Sequence, residues 1–178
     1  KIYSISSATE QIIEQLEEPL LIRGYFSSRT HPYLAPLVPT LRDLLQEYKL
    51  AGKGKIRAEY VDPGENEQLE AEAKRRYGIE SIAFQLGDRQ STQIVNSYFN
   101  IVVQYGDQHE VLSFNDLIEI KFDGLKEPDV KLRNPEYDIS RSIKKAIHSF
   151  NNTDNLFASL KEQIKFVSYV SEKQLPKQ

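Results

Sequence analysis

A chain of 178 residues with a formal net charge of −3 and no cysteine is limited in what it can do. Its length suffices for one compact domain, or for one domain and the start of a second. The basic residues are scattered among as many acids, which argues against nucleic-acid binding. The absence of cysteine excludes disulfide exchange, thiol nucleophiles, thiolate metal sites and iron–sulfur clusters.

The first third of the chain predicts a helix, a buried strand and a second helix. Residues 7–10 have the S-x-x-E form of a capping box, and they predict a short amphipathic helix that ends before Pro19. Residues 20–26 are typical of a buried strand. A leucine-rich helical face over residues 37–48 ends at the Gly-Lys-Gly of residues 52–54, a common signal for the end of a helix.

A second strand and a third helix follow in the same order. Residues 55–61 alternate between apolar and polar side chains, which predicts a strand, and the Asp-Pro-Gly of residues 62–64 ends it. Asn66 predicts the N-cap of a helix over residues 67–77, and Gly78 lies where such a helix ends.

The middle of the chain predicts a weaker strand and a hairpin. The strand covers residues 79–86, and the hairpin joins residues 98–105 to residues 110–114 through a turn at residues 106–108. Strands that alternate with helices favour a mostly parallel sheet, to which the hairpin adds antiparallel strands. The order βαβαβ plus a β-hairpin therefore predicts an α/β fold with a thioredoxin-like mixed sheet flanked by helices.

The last third of the chain predicts a linker, a helix and a strand. Residues 121–133 are charged and have no steady period, which is typical of a linker or of an excursion from the fold. Asn134 and Pro135 form a strong helix start, and the asparagine-rich residues 151–155 predict its end. A further strand is predicted over residues 164–170.

These elements predict two regions. We expect a thioredoxin-like domain over residues 1–125, followed over residues 126–178 by a linker, helix and strand that begin a second, truncated domain. No helix follows the last predicted strand to complete a βα unit, so we expect the natural protein to continue. The chain opens without a charged and then apolar leader, so any targeting segment is expected outside it.

The loops after the first two predicted strands form a candidate ligand-binding site. In open α/β sheets, ligands tend to bind beyond the carboxyl ends of the strands. Ser28, Arg29 and His31 in the first loop and Asp62 in the second could therefore converge on a small anionic or polar ligand. The alternative is a capping loop and a strand-ending turn without a ligand, because Ser, Thr, Asp and Pro are favoured there for conformational reasons.

The sequence motifs predict neither catalysis nor a cofactor. His31, His109 and His148 lie far apart and lack the H-x-x-x-H spacing of a zinc site. The sequence has no nucleophile elbow, no phosphate-binding loop and no dinucleotide-binding glycine motif. We therefore expect a protein that is not an enzyme and that has no catalytic residue, metal site or cofactor.

Several phrases of the sequence, taken in order, resemble a known family. They are SISSAT (4–9), IIEQL (12–16), LLQEY (44–48), GKI (54–56), YVDP (60–63), YGI (77–79), VVQYGD (102–107) and EYDISRSIKK (136–145). Together they are similar to the auxiliary components of an uncharacterised bacterial ABC transport system, the family that includes the gliding-motility auxiliary protein. The resemblance covers nearly the whole chain.

The resemblance implies a location and partners. It implies that the chain is the first part of an extracytoplasmic region, on the periplasmic side of the inner membrane and tethered to it by an anchor outside the chain. It also implies an ABC permease and its ATPase as partners, with ATP hydrolysed by another subunit, and it carries over no catalytic residue. Two departures from thioredoxins argue against their substrate-clamping role: the cysteine pair is missing, and Ala83 stands where thioredoxins keep a cis-proline.

The function expected from the sequence is thus a non-catalytic interaction or scaffold module of an ABC-type transport complex. The alternative is a binding domain for a small solute, glycan or peptide at the loops after the first two strands. We expect no membrane insertion of this segment, because its longest apolar runs are short and a spanning helix needs roughly 20 apolar residues.

Overall fold

The structure, a computed structural model, describes residues 4–87, 90–124 and 127–174, so the boundary predicted between residues 125 and 126 falls outside the described residues. It is an α/β fold with one mixed sheet, two small antiparallel sheets and flanking helices. In chain order the helices and strands are α1 (Ser7–Glu14), β1 (Leu20–Phe26), α2 (Leu37–Ala51), β2 (Ile56–Val61), α3 (Glu67–Tyr77), β3 (Ile82–Gly87), β4 (Thr92–Ser97), β5 (Phe99–Tyr105), β6 (Gln108–Leu112), α4 (Phe114–Leu117), β7 (Ile118–Lys121), β8 (Asp129–Leu132) and α5 (Pro135–Gln174).

The main sheet has the strand order β2–β1–β5–β6. β1 pairs in parallel with β2 and antiparallel with β5, and β5 forms an antiparallel hairpin with β6. β1 is central because it is apolar on both faces, as a strand covered on both sides requires. Ile22 is buried in the core on one face, and Tyr25 is buried on the other.

Helices cover the two faces of the main sheet differently. The larger core combines residues of α1, α2 and α5 with one face of the sheet, and it includes Leu45 and Ile143, which have no exposed surface. α3 packs on the opposite face through Ala73 and Tyr77, whose ring lies 6.2 Å from that of Tyr25. The sheet therefore forms the middle of three layers.

Local capping sets the ends of the helices. Ser6 caps α1, since its hydroxyl accepts a hydrogen bond from the Thr9 N–H at 3.3 Å, so the cap precedes the predicted capping box at residues 7–10 by one residue. Asn66 caps α3 as predicted. α3 ends at Gly78, whose φ of 67° places it in the left-handed region that glycine adopts without strain.

Two antiparallel ribbons differ from the predicted elements. The third predicted strand corresponds to β3, which pairs with the unpredicted β4 in a separate two-stranded sheet and not with the main sheet. The predicted linker over residues 121–133 contains the strand β8, which pairs with β7, a strand that ends at Lys121. Cross-strand pairing stabilises both ribbons, and Phe84 of β3 and Val130 and Leu132 of β8 also pack against the main core.

The strand predicted over residues 164–170 is wrong, because these residues belong to α5, a single helix of 40 residues. The helix also continues through residues 151–155, where its end was predicted. Its first half packs in the core of the main sheet, whereas its apolar residues from Leu156 to Val167 are exposed. The division into two domains stays a prediction. Among the described residues, no helix combines the length and the apolar composition needed to cross a membrane.

Candidate functional site

A cleft of about 430 Å³ lies at the carboxyl ends of β1 and β2. The parallel pairing of these strands brings the loops that follow them to the same edge of the sheet. Its lining includes the apolar side chains of Phe26, Val38 and Val61 and the polar side chains of Ser28, Arg42 and Asp62.

The carboxylate of Asp62 joins the two loops. One of its oxygens accepts a hydrogen bond from the Ser28 N–H at 2.9 Å, and the other accepts from the Gly64 N–H, also at 2.9 Å. Both oxygens therefore already have a backbone donor. Asp62 thus fixes the shape of the cleft, and each of its oxygens can still accept one further hydrogen bond.

The loop after β1 is also held by the residues that precede β5. The Ser27 hydroxyl accepts from the Tyr98 N–H at 2.7 Å, and the Ser27 N–H donates to the Tyr98 carbonyl at 3.2 Å. The hydroxyls of Thr30 and buried Ser97 share a hydrogen bond of 2.7 Å. The loop is therefore tied from two sides and forms a rigid wall of the cleft.

The four residues predicted as a ligand-binding site have different positions. Ser28 and Asp62 both line the cleft, whereas Arg29 is exposed and lies outside its lining. His31 also lies outside it, because its Nδ1 accepts from the Tyr33 N–H at 3.1 Å and its ring packs 5.9 Å from that of Phe84. The structure therefore brings together Ser28 and Asp62, and directs the other two elsewhere.

Arg42 is a cleft residue that sequence reasoning missed. Its guanidinium lies 4.3 Å from the centre of the Tyr60 ring, a cation–π contact, and the Tyr60 hydroxyl donates to the Arg42 carbonyl at 3.4 Å. Burial raises the pKa of Tyr60, and the charge of Arg42 opposes that rise. The amphipathic pattern of α2 could have shown that Arg42 is exposed, but only the packing of α2 beside β2 directs it to the cleft.

The cleft offers side chains that can bind a polar group. Arg42 and the exposed Glu65 offer one charge of each sign at its rim, beside the Ser28 hydroxyl. Such groups can hold a small solute or a peptide through hydrogen bonds and ion pairs. Within the described ranges, no group of three His, Asp or Glu side chains could hold a metal ion.

A second polar cluster joins α1, α2 and α5. The Tyr48 hydroxyl donates to the Glu136 carbonyl at 2.9 Å and shares a hydrogen bond of 2.6 Å with the Ser140 hydroxyl, which lies 2.6 Å from that of Thr9. Burial raises the pKa of Tyr48 to about 12, so the phenol remains neutral. The Glu136 carboxylate accepts from the Thr9 hydroxyl at 2.9 Å and from the Ser6 N–H at 2.7 Å. This cluster holds the first turn of α5 against the rest of the core.

A family model described as a domain of unknown function, DUF7088, matches residues 1–104, more than half of the chain. The chain belongs to the DUF7088 family. No curated protein and no solved structure gives a significant match to it. The DUF7088 region runs from α1 into β5 and therefore contains the whole cleft, while β6 and α5 follow it.

Replacing Asp62 of this DUF7088 chain with alanine is expected to lower the free energy of unfolding by about 1–3 kcal/mol, because the Ser28 and Gly64 N–H groups lose their acceptors. Urea unfolding followed by circular dichroism measures the change. Asp43→Ala, at an exposed position of α2, is the control and should change stability by less than about 0.5 kcal/mol. Equal effects of the two substitutions would contradict the structural role of Asp62.

The Glu136 carboxylate should make stability depend on acid pH. Partial burial raises the pKa of Glu136, but the hydrogen bonds from Ser6 and Thr9 outweigh that effect and hold the pKa below its ordinary value. The contribution of Glu136 to stability is therefore fully present when the pH is above the ordinary pKa, and it is lost as the pH falls through the lowered pKa. Thermal unfolding midpoints from about pH 7 to about pH 3 should fall less for Glu136→Gln than for the wild type. Glu162 is exposed, so the unfolding midpoints of the control Glu162→Gln should fall with pH as those of the wild type do. If the midpoints of Glu136→Gln fell equally steeply, the proposed role of the Glu136 carboxylate would be contradicted.

Proposed function

We propose that this DUF7088 chain is a non-catalytic interaction module of an ABC-type transport complex. In this proposal it is an auxiliary component on the periplasmic side, tethered to the inner membrane by an anchor outside the chain, with an ABC permease and its ATPase as partners. The phrases that resemble the auxiliary components of such systems support it.

The sheet supports the finer inference of a thioredoxin-like fold. The units β1–α2 and β2–α3 are followed, after the β3–β4 ribbon, by the β5–β6 hairpin and then by α5. In a thioredoxin the loop after β1 would hold the dithiol, whereas here Asp62 and the residues before β5 tie that loop internally. A rigid body without cysteine is suited to contacts rather than to thiol chemistry.

The exposed apolar face of α5 is the observation that carries the proposal. Phe157, Leu160, Ile164 and Val167, hereafter the exposed seam, have between 44% and 69% of their surface accessible to solvent. Their spacing of three and four residues places them on one face of the helix. Contiguous exposed apolar surface of this kind marks sites of protein interaction.

Affinity purification of the full-length protein from membranes in mild detergent tests the proposal. We expect the permease and the ATPase to co-purify with the wild type, and to be lost with Ile164→Asp, which places a charge in the exposed seam. Asn155→Asp adds the same charge on the opposite face of α5 and should retain both subunits. Failure of both subunits to co-purify with the wild type would contradict the proposed function.

The cleft favours a second candidate function, the binding of a small solute, glycan or peptide. Ser28 and Arg42 present a hydroxyl and a guanidinium beside apolar walls, which is the composition of many ligand sites. A thermal-shift screen tests this function, since a ligand at a hundred times its dissociation constant adds roughly 2.7 kcal/mol of stability. The shift should disappear in Arg42→Ala and persist in Arg75→Ala, an exposed arginine of α3. No shift across a broad library would contradict it.

A further inference from the structure

The exposed seam continues a pattern that begins inside the core. A series of residues, apolar with one exception, recurs along α5 at alternating intervals of four and three, which is the spacing of a coiled-coil interface. Thr153 is the only polar residue of this series, whose members are Ile139, Ile143, Ala146, Phe150, Thr153, Phe157, Leu160, Ile164 and Val167.

The first part of the series is covered by the chain's own sheet. Ile139 and Ile143 have no exposed surface, and the Phe150 ring lies 4.9 Å from that of Tyr105 on β5. Beyond Phe150 the helix continues over residues 151–174, a length of about 36 Å. The face that is buried before Phe150 is therefore the face that is exposed after it.

We propose that a second copy of this chain covers the exposed seam in an antiparallel helix pair and that the transport subunits bind this pair, so the inference rests on the proposed function and deepens it. The orientation follows from the position of the sheet. In each copy the chain's own core covers the same face of α5 as far as Phe150. A parallel pair would therefore place the two domains in the same space. An antiparallel pair places them at opposite ends.

Alignment of the two free helix segments defines the contacts. Antiparallel overlap of residues 151–173, with the two-fold axis at residue 162, places Phe157 against Val167 of the second copy. It likewise places Leu160 against Ile164 of the second copy. The two-fold axis repeats both contacts, so the interface has four layers that are all apolar. A symmetric interface of this kind closes after two copies and does not propagate.

The charge and the size of the free segment suit self-association. Its exposed part carries two acidic residues, Asp154 and Glu162, and two basic residues, Lys161 and Lys165, so the paired segments bring together no excess of one charge. A helix face of this length buries roughly 600 Å² per copy, and about 1,200 Å² in total is the lower end of stable specific interfaces. We therefore expect a dissociation constant in the micromolar range.

Sedimentation velocity of the chain from about 1 µM to about 500 µM tests the inference. The mass should rise from near 20.5 kDa toward twice that value as the concentration increases. Leu160→Asp should weaken the dimer at least about 100-fold, because it places an unpaired charge between apolar layers, whereas Asn155→Asp on the opposite face should leave the dissociation constant within about twofold. A chain that stays monomeric throughout, or a dimer that Leu160→Asp does not weaken, would overturn it.

Spin-label distances test the orientation. The chain has no cysteine, so one introduced cysteine is the only labelling site. An antiparallel pair predicts labels about 10–20 Å apart for Lys161→Cys, near the two-fold axis, and about 30–40 Å apart for Asn151→Cys, near its end. Short distances at both positions would indicate a parallel pair and overturn the proposed arrangement.

Two outcomes separate this inference from the proposed function. If the permease co-purifies with the full-length protein while the chain is monomeric at all concentrations, the transport role stands and the proposed dimer is wrong. If the chain dimerises through the exposed seam while neither transport subunit co-purifies, the second copy stands and the transport role is wrong.

Discussion

Replacing Phe99 with alanine is expected to lower the free energy of unfolding by about 3–5 kcal/mol. Phe99 is 1% exposed, and its ring packs edge-on against those of Phe26 on β1 and Phe114 on α4, at centroid distances of 5.2 and 6.2 Å. The substitution removes this packing and leaves a cavity that the neighbouring strands can only partly fill. Chemical denaturation measured by fluorescence and circular dichroism together gives the change.

Phe122 provides the matched control for this substitution. Its side chain is 80% exposed, so Phe122→Ala should change stability by less than about 0.5 kcal/mol. A loss below about 1 kcal/mol for Phe99→Ala would show that β1, β5 and α4 do not share one core as described.

Replacing Gly106 with alanine is expected to lower the free energy of unfolding by about 2–4 kcal/mol. Gly106 has a φ of +59°, and a Cβ atom there would lie 2.5 Å from Cε2 of the Phe150 ring. The cost has two parts, the left-handed backbone and the displacement of Phe150 from the turn of the β5–β6 hairpin. Thermal and urea unfolding measure their sum.

Gly78 separates the two parts of this cost. It has a similar φ of +67° but open space around its Cβ position, so Gly78→Ala should cost only about 1–2 kcal/mol. In a Phe150→Ala background the extra cost of Gly106→Ala should disappear, because the steric conflict is gone. Equal costs for the two glycine substitutions would contradict the packing of α5 against the hairpin turn.

The sequence predicts those elements whose ends carry a local chemical signal. β1 has its predicted bounds because it is a short apolar run between polar segments. α3 also has its predicted bounds, because Asn66 can cap its start and Gly78 can adopt the left-handed conformation at its end. Signals of this kind act within a few residues and need no tertiary contact.

The second half of α5 was mispredicted because two local preferences oppose the long-range pattern. Asn151, Asn152 and Asn155 disfavour a helix interior, and the β-branched and aromatic residues of 164–170 favour a strand. The apolar spacing of the seam, however, stays helical from Ile139 to Val167 and continues through both segments. Following this period across the asparagines would have predicted the continuous helix.

The candidate cleft was predicted in part. The parallel pairing of β1 and β2 follows from the alternation of strands and helices, and this pairing places Ser28 beside Asp62. The interaction of His31 with Phe84 could not be predicted, because β3 pairs with β4 outside the main sheet, and β4 has no counterpart in the predicted element order. The position of Arg42 at the cleft depends on how α2 is rotated about its axis, and only the packing of α2 determines that rotation.

Amide hydrogen exchange along α5 tests most directly whether the exposed seam is a binding surface. In the isolated chain at low concentration, amides of residues 151–167 should exchange faster than those of residues 139–150, which the core covers. In the complex with the permease and the ATPase that the proposed function names, residues 151–167 should become protected while those of α3 stay unchanged. Identical exchange of residues 151–167 in both states would contradict the account, because it would mean that nothing covers this face of the helix.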